Sequence, residues 1–210
     1  DKNDKCIDDF IIETGCRTVR QREGAIYLNG KKIQLNGALI MQFLPPYNEV
    51  PINHNCPTDR QIVMQMLMLL NMNANTARLH ILGYGTNDRR FARVCDRLGI
   101  MLIWTTRLID SLENLAWEGE WTEKDAYSFQ IEEVKNYPSV IMYEGSNEYH
   151  SWDLATIDRM YDEFVTMAEN TDKTRLLSPC SHLYYSEYFP CKNYRTDGKR
   201  DEHGNAAQSS

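Results

Sequence analysis

Along most of the chain, short apolar runs alternate with longer stretches in which apolar residues recur every three or four positions. The first pattern suits strands and the second suits helices with one buried face. Ala25 to Leu28 and Lys32 to Leu35 flank Asn29-Gly30, two residues that tolerate positive φ, and predict a tight hairpin. A strand from Leu35 to Met41 follows, then a loop holding Pro45-Pro46 and Pro51. Thr58 with Gln61 three positions on is a capping-box signature, and Ile62, Val63, Met66, Leu67 and Leu70 extend it at helical spacing.

Asn75 to His80 reads as a short strand. Thr86 is the expected cap of a second helix whose Phe91, Val94, Cys95 and Leu98 share a face, with Gly99 as the left-handed residue that ends it. Ile100 to Trp104 has no polar alternation, as in a strand covered on both faces. A helix from Glu123 to Asn136 is stopped by Pro138, Val140 to Tyr143 is the next buried strand, and Leu154, Ile157, Tyr161, Phe164, Val165 and Ala168 mark a fourth helix before Leu176-Leu177.

Strands and helices in strict alternation predict a parallel α/β architecture, either doubly wound or a barrel. No G-x-G-x-x-G follows the first strand, and Gly83-Tyr84-Gly85 lacks the third glycine, so the barrel is favoured. Four strand-helix units from Leu35 to Asn170 take about 34 residues each, so eight would need roughly 270, near the size of a (β/α)8 TIM barrel. The expected organisation is the first five barrel strands over residues 25–183. Residues 1–24 are expected to hold the last strand or two of another domain or form a linker, and 184–210 to be loop or tail.

Composition narrows the partners. Lys plus Arg total 23 against 30 for Asp plus Glu, a net charge of −7, with no basic stripe for nucleic acid or an anionic membrane. No apolar run reaches the roughly 18 residues of a membrane span, and Asp1 to Asp9 is too polar and acidic for a signal peptide. The compartment stays open between the cytoplasm and a periplasmic or secreted location. Six cysteines show neither C-x-x-C nor zinc-type Cys/His spacing, which argues against a disulfide framework or metal knuckle.

Barrel active sites form at the C-terminal strand ends. Those positions carry Arg78 and His80, then Thr105, Thr106 and Arg107, then Ser146, Asn147, Glu148, Tyr149 and His150, then Ser181 and His182. A carboxylate beside an amide, Asn147-Glu148, suits sugar chemistry: a carboxylic acid can protonate a leaving oxygen while an amide holds a neighbouring hydroxyl, although Asn-Glu also caps helices. Trp104 and Trp117 offer stacking surfaces or core. Glu118 and Glu120 read as solvated loop, and Met64, Met66, Met68 and Met72 as core filler on a helix. Glu144, four residues before Glu148, should share its direction by pleat parity, as a supporting group or a metal-linked acid.

Five segments together resemble glycoside hydrolase family 2, the β-galactosidase, β-glucuronidase and β-mannosidase group. Tyr27-Leu28-Asn29-Gly30-Lys31-Lys32-Ile33-Gln34-Leu35-Asn36-Gly37 is similar to the entry into that family's catalytic barrel. Gly15-Cys16-Arg17 resembles the Gly-Phe-Arg that closes its preceding immunoglobulin-like domain, which implies that residues 1–24 end such a β-sandwich domain or a linker. Asn73-Ala74-Asn75-Thr76-Ala77-Arg78 resembles the second-strand motif, Cys95-Asp96-Arg97-Leu98-Gly99-Ile100 the approach to strand three, and Tyr137-Pro138-Ser139-Val140-Ile141-Met142 the approach to strand four.

The resemblance implies a retaining exo-acting β-glycosidase with Glu148 as general acid/base, Asn147 as partner of the sugar 2-hydroxyl and Arg78 as a positioning cation near the nucleophile. His80 and Trp104 are expected to contact sugar. The nucleophile implied is a Glu at the end of strand seven, beyond residue 210. Glu187, within Ser186-Glu187-Tyr188, is the disfavoured candidate, because only one helix and one strand fit between it and Glu148. No cofactor or metal ligand is called for by the residues; the resemblance admits a divalent cation.

A glycoside or oligosaccharide is the expected partner, with homo-oligomerisation of a full-length protein left open. Trp104-Thr105 replaces the Asp-Glu often found after strand three, and Leu79-His80-Ile81-Leu82 the Ser-His-Tyr-Pro after the second-strand Arg. The sugar therefore stays unassigned. The contrasting expectation is a catalytically inactive fragment or a carbohydrate-binding module of the same fold.

Overall fold

The computed structural model describes residues 9, 11, 13–40, 57–80, 89–106, 123–145 and 154–178. Its first element is a three-stranded antiparallel sheet of β1 (Val19–Arg22), β2 (Ala25–Leu28) and β3 (Lys31–Ile33). Asn29 and Gly30 take φ of 51° and 77°, giving the hairpin turn expected from the sequence. A second such turn, Glu23-Gly24 at 52° and 72°, joins β1 to β2. The domain boundary expected at 24/25 falls on this turn, and β1 lies in one sheet with β2 and β3.

The main sheet contains β4 (Gly37–Ile40), β5 (Thr76–Leu79), β6 (Met101–Thr105), β7 (Val140–Glu144) and β8 (Leu176–Ser178), all parallel and side by side in chain order. Helices α1 (Asp59–Asn71), α2 (Arg90–Leu98), α3 (Glu123–Val134) and α4 (Leu154–Thr171) connect them. A doubly wound sheet reverses its strand order at a switch point. The unreversed order here is that of a barrel wall, with a helix layer outside and the other face forming the interior.

Helix α1 begins as its sequence dictates: Gln61 N–H donates to Thr58 Oγ1, and Thr58 N–H donates to Gln61 Oε1 at 2.8 Å. Its buried side chains are Ile62, Met66 and Leu69, whereas Val63, Leu67, Met64, Met68 and Met72 are exposed. Of the methionines expected to fill core, only Met66 does, because the apolar stripe is wider than the face the sheet covers. Helix α2 is described from Arg90, its expected cap Thr86 lying outside the described residues. It ends at Gly99, φ 73°, whose N–H reaches Cys95 O.

Registered rows sort the strand residues by face. Ile40, Leu79, Trp104, Tyr143 and Leu177 form one row and belong to the main buried cluster shared with Ile62, Met66, Phe91, Cys95 and Phe164. Leu39, Arg78, Ile103, Met142 and Leu176 form the next row, on the interior face. The β6–β7 register shifts between Leu102↔Val140 and Ile103↔Met142, so Ile141 is an extra residue.

At the N-terminal ends of the strands, Val19, Ile141 and Leu176 pack together with Ile26, Leu28 and Leu35, placing the small sheet beneath the barrel wall. Gly37 is fixed by proximity: a Cβ there would lie 2.0 Å from Thr76 O. Asn36 and Asn75 lock the same joint, with Asn36 N–H donating to Asn75 Oδ1 and Asn75 Nδ2 to Gln34 O, both at 2.9 Å. Arg17 donates to the carbonyls of Pro138 and Val140, and Arg175 donates to those of Val140, Lys135 and Tyr137. Burial, with the Arg175 charge second, lowers Arg17 to about 10.

Asp172 completes this base by accepting from Tyr143 Oη at 2.7 Å and pairing with Arg175 at 2.8 Å. Burial alone would raise its carboxyl. Hydrogen bonds from Thr174 and Tyr143 and the Arg175 charge outweigh that and hold it below the ordinary 3.8. A carboxyl depressed in the folded state stabilises the fold fully above its unfolded value and loses that contribution as pH falls toward the folded one. Asp172→Asn is expected to cost about 3 kcal/mol at pH 7, because Arg175 stays buried. In urea unfolding the gap from the parent protein should narrow as pH drops below 3.8. A gap independent of pH would contradict the ionised assignment.

Candidate active site at the strand tips

Arg78 and Glu144 are the only charged side chains in the five parallel strands. Each sits in an otherwise apolar or neutral run, and a charge inside a barrel wall requires a partner. They supply one another. Arg78 Nε donates to Glu144 Oε2 at 2.7 Å, and Nη2 lies 2.6 Å from the same oxygen. Thr105 on the intervening strand donates its hydroxyl to that oxygen as well. Glu144 is 3% exposed. Burial pushes its carboxyl above the usual 4.5, and the Arg78 charge, with hydrogen bonds from Arg78 and Thr105, offsets part of that rise.

The ends of β6 and β7 are clamped beside this pair. Thr106 N–H donates to Glu144 O at 2.7 Å and its hydroxyl to the same oxygen at 2.8 Å, while Gly145 N–H donates to Ser178 O at 2.8 Å. The chain leaves β7 from a fixed point, three residues before Glu148. Asn147, Glu148 and Glu187 themselves lie outside the described residues, as do Trp117, Glu118, Glu120, His150 and His182.

His80 directly follows β5, with its N–H on Ile40 O at 3.0 Å. The strand alternation gives it the parity of Arg78. Trp104 lies on the opposite face: it registers with Leu79 and Tyr143, is 1% exposed and belongs to the helix-facing core. Of the two roles open to it, contact with sugar or core, the geometry supports core, because the β6 alternation that turns Ile103 and Thr105 inward turns Trp104 outward.

The Arg78–Glu144 pair was not anticipated. That two opposite charges each interrupt a buried strand is visible in the sequence; that they face one another follows from the register and the extra residue in β7. Glu144 was expected as a supporting or metal-linked acid. Its Oε2 is taken by a guanidinium and a hydroxyl, and among the described residues no three His, Cys, Asp or Glu side chains converge as a metal site. The described donors at Glu144 therefore fit an ion pair rather than a divalent cation.

The sequence pattern described as "Glycosyl hydrolases family 2, TIM barrel domain" matches residues 19–192, through all five strands and the small sheet beneath them. The chain belongs to glycosyl hydrolase family 2. Its match to a β-galactosidase from Priestia megaterium is 26% identical and covers 85% of this chain and 18% of that protein.

Among solved structures, a family 2 member from Bacteroides cellulosilyticus aligns with TM-score 0.65 at 24% identity, covering 83% of this chain and 22% of that one. A β-glucuronidase from Ruminococcus gnavus aligns with TM-score 0.60 at 21% identity, covering 78% and 27%. These two likenesses establish the shared fold. The chain thus spans between 18% and 27% of the length of these relatives. No helix among the described residues is long and apolar enough to cross a membrane.

The family 2 barrel makes the Trp104 assignment testable. Trp104→Phe should lower stability by about 1–2 kcal/mol through lost packing alone, since among the described residues indole Nε1 has no hydrogen-bond partner to lose. KM for any β-glycoside turned over by the natural full-length protein should stay within about twofold, as expected for a residue remote from substrate. A tenfold rise in KM at unchanged stability would return Trp104 to the sugar site.

Proposed function

We propose that this chain supplies the acid/base half of a retaining exo-β-glycosidase acting on terminal β-linked sugars, with Glu148 as general acid/base. The observation that carries the reading is the family 2 barrel match, in which Asn147-Glu148 follows the tip of the fourth barrel strand, β7. In such a mechanism one carboxyl protonates the departing oxygen while a second, about 5–5.5 Å away, attacks the anomeric carbon. A covalent glycosyl-enzyme forms, and the first carboxylate then activates water to release it. Asn147 holds the 2-hydroxyl, Arg78 is the positioning cation beside the nucleophile, and His80 contacts the sugar from the Arg78 side.

The β-galactosidase and β-glucuronidase names among the relatives support the reaction class but differ in sugar, so the sugar itself stays unassigned. Replacing Glu148 by Gln in the natural full-length protein should lower turnover by at least about 10²-fold on alkyl or disaccharide substrates. Activated aryl glycosides, whose leaving group needs little protonation, should lose less in the glycosylation step. Equal loss on both substrate classes, or none, would contradict the assignment.

The contrasting reading, an inactive segment, applies to residues 1–210 in isolation. Among the described strand residues on the interior face, the sole carboxylate is Glu144, and it is engaged with Arg78. A retaining mechanism requires a second, reacting carboxylate. Because the resemblance puts the reacting carboxylate at the end of a seventh barrel strand, and five barrel strands lie among the described residues, the 210-residue segment alone is expected to show no turnover on a panel of aryl β-glycosides. Turnover that vanishes when Glu187 is replaced would instead make Glu187 the nucleophile.

A further inference from the structure

We propose that Glu144 is a positioning residue of the sugar site: through Thr105 it is fixed against β6, and from there it aims the Arg78 guanidinium across the strand tips. The inference rests on the assignment of Arg78 to the sugar-binding cup made above and goes beyond it by naming the group that sets the arginine's direction.

Three observations support it. First, Arg78 starts one level lower than the group it meets. It registers with Ile103 and Met142, while Glu144 registers with Thr105, two residues further along the strand. At about 3.3 Å per residue the guanidinium must climb roughly 7 Å, and it must cross β6 as well. An arginine left to itself would spread over several rotamers in doing so.

Second, the partner is held. Glu144 Oε2 receives Nε and Nη2 of Arg78 and the Thr105 hydroxyl. The Glu144 carbonyl receives both the N–H and the hydroxyl of Thr106, and the next residue, Gly145, is bonded to β8. Two guanidinium nitrogens on one fixed oxygen constrain the planar group in a way one ammonium cannot. Third, the side chains of the pair are 17% and 4% exposed, so little water competes for these bonds.

The consequence is a division of labour along one short segment. Glu144 orients the cation, and Glu148, four residues later, exchanges the proton. An orienting group acts through another side chain, so its loss should be read in the chemical step. A displacement of about 1 Å at a reacting centre can cost about 10²-fold in rate.

The test is a double-variant cycle in the natural full-length protein, with an aryl β-glycoside as probe and rates expressed per folded molecule. Glu144→Gln keeps the reach but removes the charge, and Arg78→Lys keeps the charge but removes the fork. Each single variant is expected to lower kcat by about 10²-fold with KM within about threefold, and the double variant to be within about threefold of the worse single. Independent losses that multiply toward about 10⁴-fold would overturn the proposal. So would a lowered Tm with kcat per folded molecule unchanged, the signature of a purely structural pair.

Should Glu144→Gln fail to accumulate as folded protein, Thr105→Val removes one donor from the same oxygen at nearly constant shape. A fall in kcat of about fivefold or more supports the proposal, and an unchanged kcat overturns it. An active parent protein whose disaccharide turnover is lost on Glu148→Gln but which is indifferent to Glu144→Gln would defeat this inference alone. A full-length parent with no β-glycosidase turnover would defeat the functional reading, and this inference with it.

Discussion

A guanidinium on β5 and a carboxylate on β7 can share an oxygen with a hydroxyl on β6 only if three parallel strands hold one register to their tips. The extra residue in β7 sets that register. Val140 is buried in the helix-facing cluster with Trp104, whereas Met142, two positions on, registers with interior Ile103. Strict alternation would keep positions 140, 142 and 144 on one face. Because Ile141 is inserted between the paired rows, the parity changes once. Tyr143 then points to the helices and Glu144 to the interior. One bulge thus decides whether the tip of the fourth barrel strand presents a carboxylate or a phenol to the cup.

The base of the wall accommodates the irregularity. The Val140 carbonyl, next to the bulge, accepts from the Arg17 and Arg175 side chains. Asp96 at the end of α2 accepts the Ser139 N–H at 2.7 Å, fixing the residue before Val140. Val19, Ile141 and Leu176 close the same region from below, so the small sheet acts as a floor against which β7 and β8 are set. Removing one partner of such a buried charged network is costed at about 3–5 kcal/mol, enough to loosen the strand that carries the site.

Much of this was legible in the sequence because local rules and burial agreed. The capping box at Thr58, the positive-φ pair Asn29-Gly30 and the glycine at 99 each impose a backbone geometry that few other residues accept. The strict alternation of runs gave the parallel order, the missing G-x-G-x-x-G favoured a barrel over a doubly wound sheet, and the unreversed strand order agrees. The segments that carried the family resemblance prove to touch: Gly15-Cys16-Arg17 meets Pro138, and Asp96 meets Ser139.

What was not legible depended on partners distant in sequence. The exposure of Met64, Met68 and Met72 reflects how much of α1 the sheet covers, which periodicity does not state. The outward turn of Trp104 and the Arg78–Glu144 pair required the register across β5, β6 and β7. Pleat parity tied Glu144 to the direction of Glu148, whereas its interior side follows from the bulge at Ile141 and its cation from the register of β5.

The central claim is that these tips form one side of a sugar-cleaving cup whose proton donor is Glu148. It is tested most directly by a crystal structure of the natural full-length protein with an uncleavable thio-β-glycoside bound. The account predicts a sugar ring over the C-terminal ends of β5 to β7, on the Arg78 side. The Glu148 carboxyl should lie within hydrogen-bond reach of the bridging sulfur, at about 3–3.5 Å. A ligand bound elsewhere, or a Glu148 side chain turned under the helix layer, would contradict it.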